Sequence, residues 1–169
     1  MQFITNAWLE FNPFSIGLDD CLAKQSALVE IKQTIDRCFL EAKIVHKNVF
    51  DPNIREVKIN MALNKAKDLG LKIAKDALDP SNKIIDTVTS GSKGDFFNIA
   101  QITGLLGQQN LNNARPIPLL TNMTRTMIHY PFVITHADQQ YESRGFVKSN
   151  FLNGLSAKEA WFHAMTGRE

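Results

Sequence analysis

Between Leu28 and Val49 apolar residues recur at alternating spacings of three and four: Leu28, Ile31, Ile35, Cys38, Ala42, Val45 and Val49. That rhythm matches the turn of an α-helix and places all seven on one stripe, so the pattern predicts a long amphipathic helix running from Asp19 onward. Asp51-Pro52-Asn53 interrupts it, because proline has no N–H to donate and disfavours helix at the residue before it. A second stripe follows at Ala62, Ala66, Leu69, Ile73 and Ala77, and Asp79-Pro80-Ser81 ends it. Two long amphipathic helices with so short a break predict an antiparallel hairpin, and the small residues of the second stripe allow close approach.

The flanking segments are shorter. Ile4 to Phe11 reads as an apolar element followed by a turn over 12–17. A brief helix over 82–89 should end at Ser90-Gly91, where glycine supplies a left-handed cap. Asp95 is a good N-cap for a further helix with Ile99, Ile102 and Leu106 inward, broken at Gly107. From Asn110 to Gln140 no period survives, which predicts loops with one or two short strands. Ser156-Ala157-Lys158-Glu159 is a capping box and starts a last helix. No C-cap follows it by Glu169, so the sequence is expected to be a piece of a longer chain. The fold class is therefore mainly α with a small irregular α+β part, built on the long antiparallel hairpin.

Composition changes this picture little. A hydrophobic fraction of 44%, a charged fraction of 21% and a net charge of +2 fit an ordinary globular chain and give no electrostatic argument for nucleic acid. Cys21 and Cys38 stand apart with no C-x-x-C and no histidine pair at zinc spacing, which argues against structural zinc and points to a reducing compartment. No apolar run approaches the roughly 20 residues that cross a bilayer, and the N-terminus lacks the pattern of a signal peptide. An intracellular protein with no membrane partner is expected.

Candidate chemistry is sparse at the level of single motifs. His46, His129, His136 and His163 are scattered, no carboxylates are paired, and no catalytic or metal-ligating constellation emerges. Ser90-Gly91-Ser92-Lys93-Gly94-Asp95 does not fit a phosphate-binding G-x-x-x-x-G-K-[ST] loop, although it sets one cation near a helix start, where anions are favoured. Lys58, Lys65 and Lys72 recur every seven residues, with Lys67 and Lys75 nearby, and by spacing alone they are a solvated face. Gln108-Gln109-Asn110, taken alone, is a polar loop.

Taken in order, four segments carry more. Trp8 to Asp19, Ser90 to Gln101 followed by Gly107-Gln108-Gln109, Glu142 to Val147, and Gly154 to Glu159 leading into His163 to Glu169 resemble, in sequence order, the largest subunit of multi-subunit DNA-directed RNA polymerases of the eukaryotic, archaeal and large-DNA-virus type. The resemblance spans nearly the whole chain and implies three parts: 1–18 as the end of a pore region, 19–140 as a funnel domain with its hairpin over 19–78, and 141–169 as the start of the following domain with the first part of the bridge helix.

The resemblance also implies roles. Lys93, Gln108, Gln109, Arg168 and Glu169 match positions along the channel through which nucleoside triphosphates reach the active centre. Gln101, Gln108, Gln109 and His163 match contacts of the toxin amanitin in the nuclear enzyme, and Lys67 stands where that enzyme has arginine, a swap that loses a bidentate donor. The family's catalytic Asn-Ala-Asp-Phe-Asp-Gly-Asp string, whose aspartates hold the Mg2+ of the intact polymerase, does not occur here. This stretch alone is therefore expected to be inactive and to hold no cofactor.

Implied partners are the other polymerase subunits, above all the second-largest, DNA template, RNA, nucleoside triphosphates and a transcript-cleavage factor. Implied locations are the nucleus for a cellular enzyme, and host cytoplasm or virion for a viral one. Pro13, Asn110, Thr166 and extra residues in 116–140 depart from the family pattern and point to a viral enzyme. The competing reading is a non-catalytic helical-hairpin interaction module, which has no need of the four ordered segments.

Overall fold

The computed structural model describes residues 1–169, the side chain of Ala137 excepted. Helix α1 (Gln2–Phe11) buries none of its residues, and Phe3, Trp8 and Phe11 stand exposed. The long helix does not begin at Asp19. Instead α2 (Leu18–Cys21) forms a single turn, and α3 (Gln25–Asn48) starts after an extended Lys24. The break has a physical cause in Asp20, whose carboxylate accepts the amides of Gly17 and Lys83 while its carbonyl accepts Asn82 Nδ2. The short turn is thereby tied to a segment sixty residues downstream rather than to the helix that follows it.

The Asp51-Pro52 stop behaves as proline chemistry demands. Proline occupies the first turn of α4 (Pro52–Ala77), where its missing N–H would be an orphan in any case, and Asp51 Oδ1 caps the amides of Asn53 and Ile54 at 2.8 and 3.0 Å. Helices α3 and α4 pack antiparallel, with Ile31, Ile35, Cys38, Phe39 and Ala42 facing Ile59, Ala62, Leu63 and Ala66. Each fully buried aliphatic side chain here contributes about 2 kcal/mol by leaving water.

The second stripe turns out differently in its later half. Leu69 is 38% exposed, whereas Gly70 and Ala74 are buried. The following segment explains the turn of the face. Leu105 lies so close over Gly70 that a Cβ there would collide with its Cδ2, and Gly104 packs on Ala74. The helix presents its smallest residues to the closest neighbour.

Helix α5 (Lys83–Thr89) is capped by Asn82, and α6 (Phe96–Thr103) by Asp95. Ile99, Ala100 and Thr103 are its buried face. It stops at Gly104, not Gly107, and Leu106 lies beyond it in extended chain.

The strands also fall outside the window expected for them. β1 (Gly107–Gln108) precedes it and β2 (Phe146–Val147) follows it, after α7 (Ala137–Glu142), and the two strands pair antiparallel. Within 110–140 only the isolated bridges Leu111–Ala114 and Leu120–Arg125 form. Phe146 inserts under the hairpin, its ring 4.9 Å edge-on from Phe39, which also meets Tyr141 at 4.8 Å.

The last helix, α8 (Ala157–Arg168), opens with the expected capping box. Glu159 does more than close that box: its carboxylate also accepts the Ser149 hydroxyl at 3.0 Å. The fold is mainly helical with one small antiparallel pair, as the pattern predicts. Among the described residues no helix is long and apolar enough to cross a membrane.

Candidate functional site

The site forms where β1 passes between α4, β2 and α8, and two glycines make that passage possible. At Gly107 (φ 76°) a Cβ would lie 2.9 Å from Lys67 Cβ, so only glycine lets the strand run against α4. At Gly145 (φ 90°) a Cβ would meet the Gln109 carbonyl at 2.9 Å, and through this gap the Gln109 amide donates to Gly145 O at 2.8 Å.

The paired glutamines fasten the junction. Gln108 is 2% exposed, and its Nε2 donates to the carbonyls of Gln109 and Arg144 at 2.9 and 2.8 Å. Gln109 donates from Nε2 to Gly107 O, and its Oε1 faces His163 Nδ1 at 3.2 Å. Side chains at three-residue intervals along α8 and its C-cap then run along one segment: His163 meets Gln109, the Thr166 hydroxyl donates to Asn110 O, and the Glu169 carboxylate accepts the Asn112 amide at 2.8 Å. Residues three apart share a helix face, so α8 is laced lengthwise to the chain leaving β1.

The remaining members approach from α4 and α6. The Lys67 ammonium sits 4.3 Å over the Phe97 ring, a cation–π contact. Burial pulls its pKa below the ordinary lysine value, the nearby Asp68 acting the other way. Gln101 is one turn beyond Phe97 on α6, and its carbonyl accepts the Phe151 amide. Phe151 in turn stands edge-on to His163 at 5.3 Å. Lys67, Gln108, Gln109 and His163 thus meet at β1, while Gln101 is reached through its carbonyl and Phe151, and Glu169 bonds Asn112 beyond the strand.

Lys93 and Arg168 do not join this network. Lys93 is exposed in the loop between α5 and α6 and makes no ion pair among the described residues, and Arg168 is exposed on the last turn of α8. Among the described residues no group of three or more His, Cys, Asp or Glu is gathered as a metal ion needs. The junction offers amides, the Lys67 cation, the His163 imidazole and the Glu169 carboxylate, groups that can bind and orient a polar ligand. Two buried acceptors, Gln108 Oε1 and Asn110 Oδ1, have no hydrogen-bond partner among the described residues.

Sequence reasoning missed the ionic cluster behind β2. Glu56 accepts Arg115 Nε and Nη2 at 2.8 and 2.7 Å in a two-pronged pair, and Arg144 Nη2 at 2.9 Å. Burial acts to raise the Glu56 pKa, but the two guanidiniums outweigh it and hold the carboxyl below its ordinary 4.5. Arg144 Nε also donates to Pro116 O at 2.7 Å. Only Arg144 had a signal, as part of the Glu142 to Val147 segment. Glu56 and Arg115 lie 59 residues apart with nothing local to connect them.

Comparison with known proteins places this architecture. The family model for RNA polymerase Rpb1, domain 4, matches residues 46–147, from the end of α3 through β2. The chain is 43% identical over its whole length to a probable DNA-directed RNA polymerase II subunit RPB1 homolog of Invertebrate iridescent virus 6, covering 18% of that protein. It is 40% identical, again over its whole length, to the putative DNA-directed RNA polymerase 008R of Frog virus 3, covering 13% of it. The chain spans less than a fifth of the length of these curated relatives. The matched region contains the hairpin's second helix, both strands and the Glu56 cluster, and on that match the chain belongs to the Rpb1 family, the largest subunits of DNA-directed RNA polymerases.

Proposed function

We propose that the chain forms the funnel of a viral DNA-directed RNA polymerase and leads into its bridge helix, lining the route by which nucleoside triphosphates enter. The observation that carries this reading is the identity of 40% or more along the entire chain to two viral proteins named as RNA polymerases, one of them an RPB1 homolog. The geometry supports it through the lacing of α8 to the segment after β1, which ties a bridge-like helix to the funnel hairpin. On this reading residues 1–18 end a pore region, 19–140 are the funnel and 141–169 begin the next domain.

Lys93, Arg168 and Glu169 belong to the channel wall, where the two cations would attract triphosphate. Gln108 and Gln109 hold the wall in shape, and Lys67, Gln101 and His163 form the pocket that corresponds to the toxin site. Lys67 engages Phe97 instead of offering a guanidinium fork, so weak toxin binding follows. Catalysis, with its Mg2+ ions, belongs to other parts of the same polymerase. The second-largest subunit, template DNA, RNA and a transcript-cleavage factor are its partners, within the host cell or virion.

The test uses the polymerase assembled around the complete largest subunit. Lys93→Ala should raise the apparent KM for nucleoside triphosphates about threefold to tenfold with kcat little changed, as expected for loss of one attracting charge on an entry path. Unchanged kinetics at limiting nucleotide would remove Lys93 from the route. A complete subunit that purifies without a second large subunit, and makes no RNA on a DNA template, would remove the polymerase reading itself.

A further inference from the structure

A cleft of about 520 Å3 opens between the tip of the α3–α4 hairpin and residues 115–144, a size suited to a small molecule. Arg55, Arg115, Arg144 and Glu56 line it, so three guanidiniums face one carboxylate. Glu56 occupies the Nε–Nη2 edge of Arg115 and the outer nitrogens of Arg144. Arg115 is only 4% exposed, yet its Nη1 makes no hydrogen bond among the described residues, and Arg55 forms no ion pair there either. Arg115 Nη1 is not among the buried atoms left without a partner, so this donor keeps contact with solvent.

The nearby carboxylates are committed elsewhere. Asp51 caps α4, and Glu142 is paired with Lys148 at 2.7 Å. The excess positive charge therefore lies in a concave, partly buried space, where its field is concentrated. The rest of the lining is mixed, with Ile117, Pro118 and Ile134 forming its apolar part beside Thr124, Gln140 and Ser143.

We propose that this cleft binds a phosphate-bearing small molecule, its phosphate held by Arg115 Nη1, Arg144 and Arg55 and its apolar body set against Ile117 and Pro118. Donors converging from three separate residues suit a tetrahedral group with three free oxygens, whereas the planar two-oxygen match to a carboxylate is already taken by Glu56. Only Arg144 touches the β1 junction, and through its carbonyl rather than its guanidinium, so the proposal stands independently of the funnel reading.

The experiment titrates the 169-residue chain with phenyl phosphate at fixed ionic strength, following the arginine Nε–H resonances by NMR. A saturable single-site shift at Arg115 and Arg144 is expected, with inorganic phosphate about threefold or more weaker for want of an apolar body and benzoate giving no saturable shift. Arg55→Ala should weaken binding about fivefold. Ile117→Asp, at a side chain 64% exposed, should abolish it without moving the unfolding midpoint. No saturable shift, benzoate binding as tightly as phenyl phosphate, or Ile117→Asp retaining full affinity would each overturn the proposal.

Discussion

Along α3 and α4 the interface is apolar from Ile31 to Ala42 and from Ile59 to Ala74, and the backbone satisfies itself within each helix. Between Leu105 and Asn150 the reverse holds. Two strands of two residues supply little pairing, and the segment is fastened by side chains bonded to backbone: Gln108 to Arg144 O, Arg144 to Pro116 O, Asn150 to the carbonyls of Thr103 and Gly104. It also carries Thr121 and Met123 at positive φ, a strained setting for such residues. Thr121 is steadied by two hydrogen bonds from Arg125 to its hydroxyl. The hairpin thus draws stability from area, which tolerates small shifts, while the β1 region draws it from directional bonds, which do not.

That contrast can be broken at either end. Leu63→Ala, at a fully buried hairpin position, should cost about 2–5 kcal/mol in denaturant unfolding, the range for an emptied core site. A loss under about 1 kcal/mol would mean that the hairpin interface is not the main source of stability. Gly145→Ala should come next, at about 1–3 kcal/mol, because it combines positive φ with a contact against the Gln109 carbonyl. Hydrogen exchange should show the loss concentrated at the amides of Leu106 and Gln109, with α3 still protected.

A smaller effect separates the ionic cluster from both. Because Glu56 has a lowered pKa in the fold, its contribution is present above its ordinary value of 4.5 and is lost as pH falls through the folded pKa below that. Glu56→Gln should therefore flatten the acid limb of stability against pH, and an unaltered limb would show that other carboxylates govern it. Smallest of all is Lys65→Ala, which removes an exposed pair with Glu41 at 3.1 Å and should change stability by less than about 1 kcal/mol.

The same contrast governs what the sequence made legible. A helix of 24 or 26 residues repeats its pattern many times, so the hairpin, its Asp51-Pro52 break and the α8 capping box could be read directly. Two-residue strands repeat nothing, and the strands were expected inside 110–140 when they bracket it. Leu69 misled because periodicity cannot say how closely a neighbour will come, and Leu105 required glycine and alanine beneath it. Of the candidate site, the residues that gather at β1 were singled out through the family resemblance, all but Lys67 within its ordered segments. The Glu56–Arg115–Arg144 cluster was missed because charge pairing across 59 and 88 residues leaves no local trace.

The pairing of Gly107 with Val147 also bears on the order in which the chain folds. The hairpin closes over a three-residue turn between Asn48 and Pro52, whereas the strands must bring together positions about forty residues apart, and the entropy of that closure has to be met before any of its bonds form. The hairpin should consequently be in place first and act as the template on which Phe146 docks, with the strand pair joining last. The route runs backwards on opening, so the junction that carries the candidate site is the part of the molecule released earliest, while the hairpin beneath it remains folded.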